Sequence, residues 1–247
     1  MRVPLAAVGL LTLARVAAAS EVGCPARIER TDVTATFYES TSGGACSLPT
    51  PPGAFYAAIA APDWAGSEMC GRCLRVTGPI GTITLQIVDE CPECPSGHLD
   101  LRGQDAFAAI GDPAQGIIPI SWETVACDVG ETTMQLEFES SNPYYLKVQV
   151  QNHRYGVATV EMADGPLWIA MPRTDDDHFV RTGDGPYATP FVFRITDVHG
   201  RSVTTDLVDT LVNDVAIDTG VQFETCPEPS GAALVALATL AIRSRWR

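Results

Sequence analysis

Cys70-Gly71-Arg72-Cys73-Leu74-Arg75-Val76, then Thr84-Leu85-Gln86-Ile87-Val88-Asp89-Glu90-Cys91-Pro92, then His98-Leu99-Asp100-Leu101 is the stretch on which the reading of this chain turns. Ile83, Leu85 and Ile87 alternate with Thr82, Thr84 and Gln86, the period of a half-buried strand. Leu74 and Val76 alternate in the same way, and residues 117–122 predict another strand. A short helix is predicted over Asp105–Ile110, with Phe107 and Ile110 on one face and Gly111 as its stop. Residues 24–128 therefore read as one β-rich unit. Two carboxylates, Asp89 and Asp100, fall at strand ends or in the loop joining them, inside a cysteine-rich segment. That is the composition of a stapled polar site.

Outside this stretch, residues 1–19 read as a secretory signal. Arg2 precedes a short apolar run, and Ala17-Ala18-Ala19 offers a small-residue cleavage site. Export gives a reason for eight cysteines, an even number suited to disulfides. The paired motifs Cys70-Gly-Arg-Cys73 and Cys91-Pro-Glu-Cys94 also have the spacing of a four-thiolate zinc site, and that alternative stays open here. The four histidines, at positions 98, 153, 178 and 199, form no spaced metal set, and no cofactor is implied. The formal charge is −14, which disfavours nucleic acid, anionic membranes and acidic polysaccharides such as pectate as partners. A neutral polymer remains open, and an acidic surface that merely keeps an exported protein soluble explains the charge equally well.

A short polar linker follows Cys127. Residues 132–224 then show no convincing helix and several short alternating segments. Leu146, Val148 and Val150 interleave with Tyr145, Lys147, Gln149 and Gln151, which argues for a small β-sandwich. Residues 227–247 join Pro227-Glu228-Pro229, an apolar run and an arginine-rich end. They resemble bacterial C-terminal sorting signals of the PEP-CTERM type, with a frayed amphipathic helix as the alternative.

Several motifs together resemble the expansin family. Ala35-Thr36-Phe37-Tyr38, Cys70-Gly71-Arg72-Cys73, Val88-Asp89 and His98-Leu99-Asp100-Leu101 are similar to its first domain. Residues 147–155, Asp177-His178-Phe179-Val180 and residues 194–200 are similar to its second. The resemblance covers roughly residues 30–224. It implies an all-β fold: a six-stranded double-psi β-barrel with a short helix, then an Ig-like β-sandwich that binds cellulose. It implies wall loosening without hydrolysis, by a monomer acting on cellulose or another neutral glucan. By similarity, Cys46 pairs with Cys70, Cys73 with Cys127 and Cys91 with Cys94, leaving Cys24 and Cys226 to clasp the termini.

The same resemblance assigns the site. Asp100 matches the catalytic acid of related family-45 endoglucanases, with Asp89 and Thr36 beside it. Thr36 is expected to bond Asp100 or a glucan hydroxyl, while a strand-end turn for Asp89 and a helix cap for Asp100 are the structural alternatives. The base that hydrolysis by inversion needs falls on Ser40, which cannot serve. Glu39 lies one residue away and keeps hydrolysis open. In the second unit, Tyr144 and Tyr145 take the place of a stacking pair, and a third aromatic position falls on Asp176, unless Tyr187 substitutes. Trp122, Trp168 and Phe179 are read as core, Trp64 as ambiguous, and His98 as tuning the site or as packing. The rival readings are a glycan-cleaving enzyme (endoglucanase or lytic transglycosylase) and a surface carbohydrate-binding module without loosening activity.

Overall fold

A computed structural model describes residues 27–40 and 43–226, all within one compact unit. The expected signal, the sorting-like tail and Cys24 lie outside the described residues. Six strands form a closed barrel: β1 (Glu29–Tyr38), β2 (Tyr56–Ala60), β3 (Cys73–Thr77), β4 (Thr82–Cys91), β5 (Leu99–Arg102) and β6 (Ile118–Val125). Their order round the barrel is β1-β5-β2-β4-β3-β6, with β1 parallel to β5 and β2 parallel to β4. Closure by the β1–β6 pairing leaves the barrel no free edge. Alternation places Ala35, Ile59, Leu74, Leu85, Ile87, Leu99 and Leu101 in the core.

The predicted helix forms as α2 (Gln104–Ala108), shorter than its apolar spacing suggested. The Ile110 and Gly111 amides both turn back to the Phe107 carbonyl, which tightens the last turn, yet Phe107 and Ile110 are fully buried. A one-turn helix, α1 (Ala61–Trp64), also forms between β2 and β3. Pro62 opens it, Ala65 closes it in the left-handed region, and Trp64 is carried into the core.

The second half is a sandwich of two four-stranded sheets. One contains β7 (Gln135–Phe138), β8 (Tyr145–Gln151), β11 (Phe179–Thr182) and β14 (Ala216–Asp218), in the order β11-β8-β7-β14. The other contains β9 (Val157–Asp164), β10 (Leu167–Met171), β12 (Phe193–Asp197) and β13 (Ser202–Thr204), in the order β10-β9-β12-β13. Phe138, Leu146, Val148, Phe179, Phe193 and Ile195 fill the space between them. Trp122 and Phe179 are core residues, but Trp168 is not. It sits half-buried on β10 beneath the Arg194 guanidinium, 4.7 Å from the ring centroid, where the cation covers a face the sheet edge leaves open.

Three disulfides staple the barrel: Cys46–Cys70, Cys73–Cys127 and Cys91–Cys94. The two CxxC motifs are thus divided among three bridges, and the four-thiolate zinc alternative is lost. Cys226 is also in a disulfide. Barrel and sandwich meet through specific bonds. Gln149 Nε2 donates to the Cys46 carbonyl at 2.8 Å, Ser67 Oγ to the Thr174 carbonyl at 2.7 Å, and the Cys127 amide to the Arg154 carbonyl at 2.9 Å. Gly71 has a φ of 71°, and a Cβ there would overlap the His153 imidazole, so the junction closes only around glycine.

Candidate functional site

The register of four neighbouring strands assembles the barrel site. Thr36 on β1 pairs with Asp100 on β5, Asp100 with Ala58 on β2, and Ala58 with Asp89 on β4. One row across the sheet therefore reads Thr, Asp, Ala, Asp. Strands are spaced about 4.8 Å apart, so the two aspartates stand two spacings apart across a floor made by a single methyl group. On β5 the outward position of Asp100 follows from alternation, between buried Leu99 and Leu101. On β4 it does not. Ile87 and Val88 are both fully buried, and the register shifts between Ala57 and Ala58, so Val88 is an extra residue on β4. This bulge turns Asp89 from the inside to the outside of the barrel.

Asp89 is held as an acceptor. Its Oδ1 receives the amides of Ala45 at 2.7 Å and Glu90 at 3.0 Å, and its Oδ2 receives the Tyr38 hydroxyl at 3.2 Å. Burial, and then the Asp89 charge, push the Tyr38 phenol above its ordinary range, so it stays a donor. Gly44 lets the loop come this close, because a Cβ there would overlap the Val88 carbonyl and the Asp89 side chain. Asp100 accepts the Thr36 hydroxyl at 2.6 Å. It does not cap α2: Gly103 is at the N-cap, and the Gln104 amide donates to the Glu39 carboxylate at 3.3 Å. Glu39 is thus turned towards the start of α2. The Ser40 carbonyl accepts Arg102 Nε at 3.1 Å.

The sandwich presents a second surface. Tyr144 is 64% exposed and precedes β8, in a turn where Asn142 Oδ1 accepts its amide at 2.9 Å. Tyr145 is half-buried and opens β8, opposite Thr182. Tyr145, Lys147, Gln149 and Gln151 then share one face of β8, running towards the barrel junction. At the third aromatic position, Asp176 Oδ2 lies 2.7 Å from Lys147 Nζ, which also contacts Glu139 at 2.9 Å. Burial alone would raise the Asp176 carboxyl, but hydrogen bonds from Lys147 and Thr174, with the His178 and Lys147 charges, outweigh it and hold it at about 2. Tyr187 supplies no substitute ring. It is buried beneath Arg181, and its hydroxyl bonds the Gly183 carbonyl.

Among the described residues, Glu139, Asp176 and His178 are close enough to offer ligands to a metal ion. The Lys147 ammonium already contacts both carboxylates, and its positive charge opposes a second cation there. Ala58, Gly44, Tyr38 and Lys147 belong to these surfaces although sequence reasoning gave them no role. Ala58 and Gly44 carry no chemistry to notice. Lys147 was legible only as an outward residue of β8.

A stapled six-stranded barrel bearing a row of two acids, followed by a sandwich with an exposed tyrosine, defines a barrel-plus-sandwich protein of the double-psi barrel class. No protein-family model matches the chain. The crystal structure of an apo expansin from Clavibacter michiganensis superposes with a TM-score of 0.73 and 34% identity, covering 80% of this chain and 99% of that one. A mutant of the same expansin, in complex with cellohexaose, superposes equally well at 33% identity. Expansin-YoaJ of Bacillus subtilis is 35% identical over 138 residues, 56% of this chain and 58% of its own length. Expansin-like protein 2 of Dictyostelium discoideum is 28% identical over 181 residues, 44% of its length. The chain belongs to the expansin family, and its match spans about half the length of these two relatives.

Proposed function

We propose that this protein binds cellulose or a related neutral wall glucan and separates glucan chains without cutting them. The observation that carries this reading is the row Thr36–Asp100–Ala58–Asp89, together with the position of the one carboxylate that would make it a hydrolase. Hydrolysis by inversion needs a base free to activate water across the sugar ring. Ser40 has none to offer, and Glu39 is engaged with the Gln104 amide. Asp89 is held by three donors, which suits a fixed wall of the groove rather than a proton acceptor. Asp100 would grip a glucan hydroxyl, and Tyr144 and Tyr145 would stack on pyranose faces. The cellohexaose complex of the Clavibacter expansin supports a gluco-oligomer as ligand. The net charge of −14 supports a neutral polymer over pectate. The disulfides fit an oxidising, extracellular setting, where the C-terminal segment would hold the protein at the cell surface.

The test is a cellulose pull-down of the mature protein with a reducing-sugar assay on the same tube. A parallel measurement records the extension of cellulose paper or wall strips by the parent and by Asp100→Asn. Binding and extension without sugar release, with extension lost in the variant, is the expected result. Clear release of reducing ends would establish a glycan-cleaving enzyme instead. Equal extension by parent and variant would leave a binding module.

A further inference from the structure

Asp100 is the end of a chain of polar groups that runs along the outer face of β1. Thr36 Oγ1 lies 2.6 Å from Asp100 Oδ1, His98 Nε2 lies 3.0 Å from the same Thr36 oxygen, and Thr34 Oγ1 lies 2.8 Å from His98 Nδ1. Thr34 and Thr36 are two residues apart on β1, so both present their hydroxyls on one face, with the imidazole spanning them. His98 is 6% exposed, and its backbone is fixed at both ends: its amide donates to the Pro95 carbonyl and its carbonyl accepts the Ala60 amide.

Proton accounting gives this chain one direction. A threonine hydroxyl has a single proton. Thr36 gives its proton to Asp100, so it must accept from His98, which places the ring proton on Nε2. In a neutral ring Nδ1 is then a lone pair and accepts the Thr34 hydroxyl. Burial lowers the His98 imidazole below its usual range, against the opposing effect of the Asp100 charge.

We propose that His98 is a positioning residue for Asp100, acting through Thr36. The imidazole locks the Thr36 hydroxyl onto Oδ1. It thereby fixes the carboxylate plane and leaves Oδ2, which has no protein partner among the described residues, to accept from a ligand. The Thr36 proton on this view is committed within the chain and is not offered to a glucan. The chain stands on its own geometry; only its use in gripping a glucan rests on the proposed function.

The experiment compares the parent with His98→Leu, His98→Gln and Thr34→Val by NMR and by cellohexaose titration. Leucine removes both ring nitrogens. Glutamine offers an amide N–H to Thr36 and a carbonyl to Thr34, so it is the rescue variant. Thr34→Val changes only the far end and guards against a folding defect in His98→Leu. In the parent, ¹⁵N shifts should show the Nε2–H tautomer of His98 and a slowly exchanging Thr36 hydroxyl proton. His98→Leu should lose that hydroxyl signal, shift the Asp100 carboxyl carbon and weaken cellohexaose about tenfold, the worth of one oriented hydrogen bond to a charged group. His98→Gln should restore both, and Thr34→Val should shift the His98 Nδ1 resonance. An Nδ1–H tautomer in the parent, or an Asp100 carboxyl signal unchanged in His98→Leu, would overturn the proposal. An intact NMR chain in a parent that ignores cellohexaose would overturn only the glucan reading.

Discussion

Tyr144 and Tyr145 show how adjacent residues share a surface that strict alternation would deny them. Tyr145 is the first residue of β8, whereas Tyr144 still belongs to the Asn142 turn and is free of the strand's period. Gly185 backs the Tyr144 ring, and any side chain there would collide with it. Replacing Tyr144 with alanine should lower adsorption to cellulose about tenfold without changing the melting temperature, because the ring is exposed and braces no core. Adsorption isotherms alongside thermal melts check this. Residue identities in the site were partly legible from sequence. Asp89, Asp100 and the loss of a ring at Asp176 could be read from motif and position. The engagement of Asp176 by Lys147 could not, because it joins residues 29 apart through the pairing of β8 with β11. The same limit hid Glu39's contact with the start of α2. A carboxylate just beyond a strand carries no mark of where it will turn.

Among the elements, β4 is the most instructive. Its first half obeys the two-residue period, and that half was readable. Carried onward unbroken, the same period would bury Asp89. Val88 breaks it, and nothing in the local sequence marks a valine as supernumerary. The strand order was equally hidden, since the two parallel pairings join segments far apart in sequence, and periodicity reports faces but not neighbours. The loop from Gly43 to Cys46 depends on the bulge, because the Cys46 amide bonds the Val88 carbonyl at 3.1 Å and Ala45 bonds Asp89. Gly44→Ala should force that loop outward. The expected cost is about 2 kcal/mol in denaturant melts, with weakened cellohexaose binding, through loss of the Ala45 contact. Unchanged stability would mean that the loop yields freely and does not fix Asp89.

For the whole molecule, the junction carries buried titratable groups that no single-domain reading would anticipate. Burial, and then the Arg173 charge, hold the His153 imidazole at about 4, whereas a histidine in the unfolded chain titrates near 6.5. Between those values the unfolded chain binds the extra proton. Stability from this group is therefore full above about 6.5 and is lost as pH falls towards 4, by up to roughly 3 kcal/mol. Asp177 works in the opposite sense, because burial pushes its carboxyl up to about 7 against the attraction of Arg173. The informative quantity is accordingly the difference between the parent and His153→Gln in melting temperature across pH 4 to 7. The parent should lose more than the variant on the acid side, and parallel curves would show that His153 carries no such linkage.

The Gly43–Cys46 loop also has a mechanical consequence. The Ala45 amide holds Asp89, and the carbonyl of the next residue holds Gln149 on β8, while Cys46 itself is bonded to Cys70. A polymer drawn along the tyrosine face while stacked on Tyr145 would load β8 along its axis. The β7–β8 and β8–β11 ladders would then resist in shear, with their bonds sharing the force, instead of opening one at a time. The tension would reach the acidic row through a strut cross-linked to the barrel, so the tyrosine face and the groove would behave as two ends of one lever.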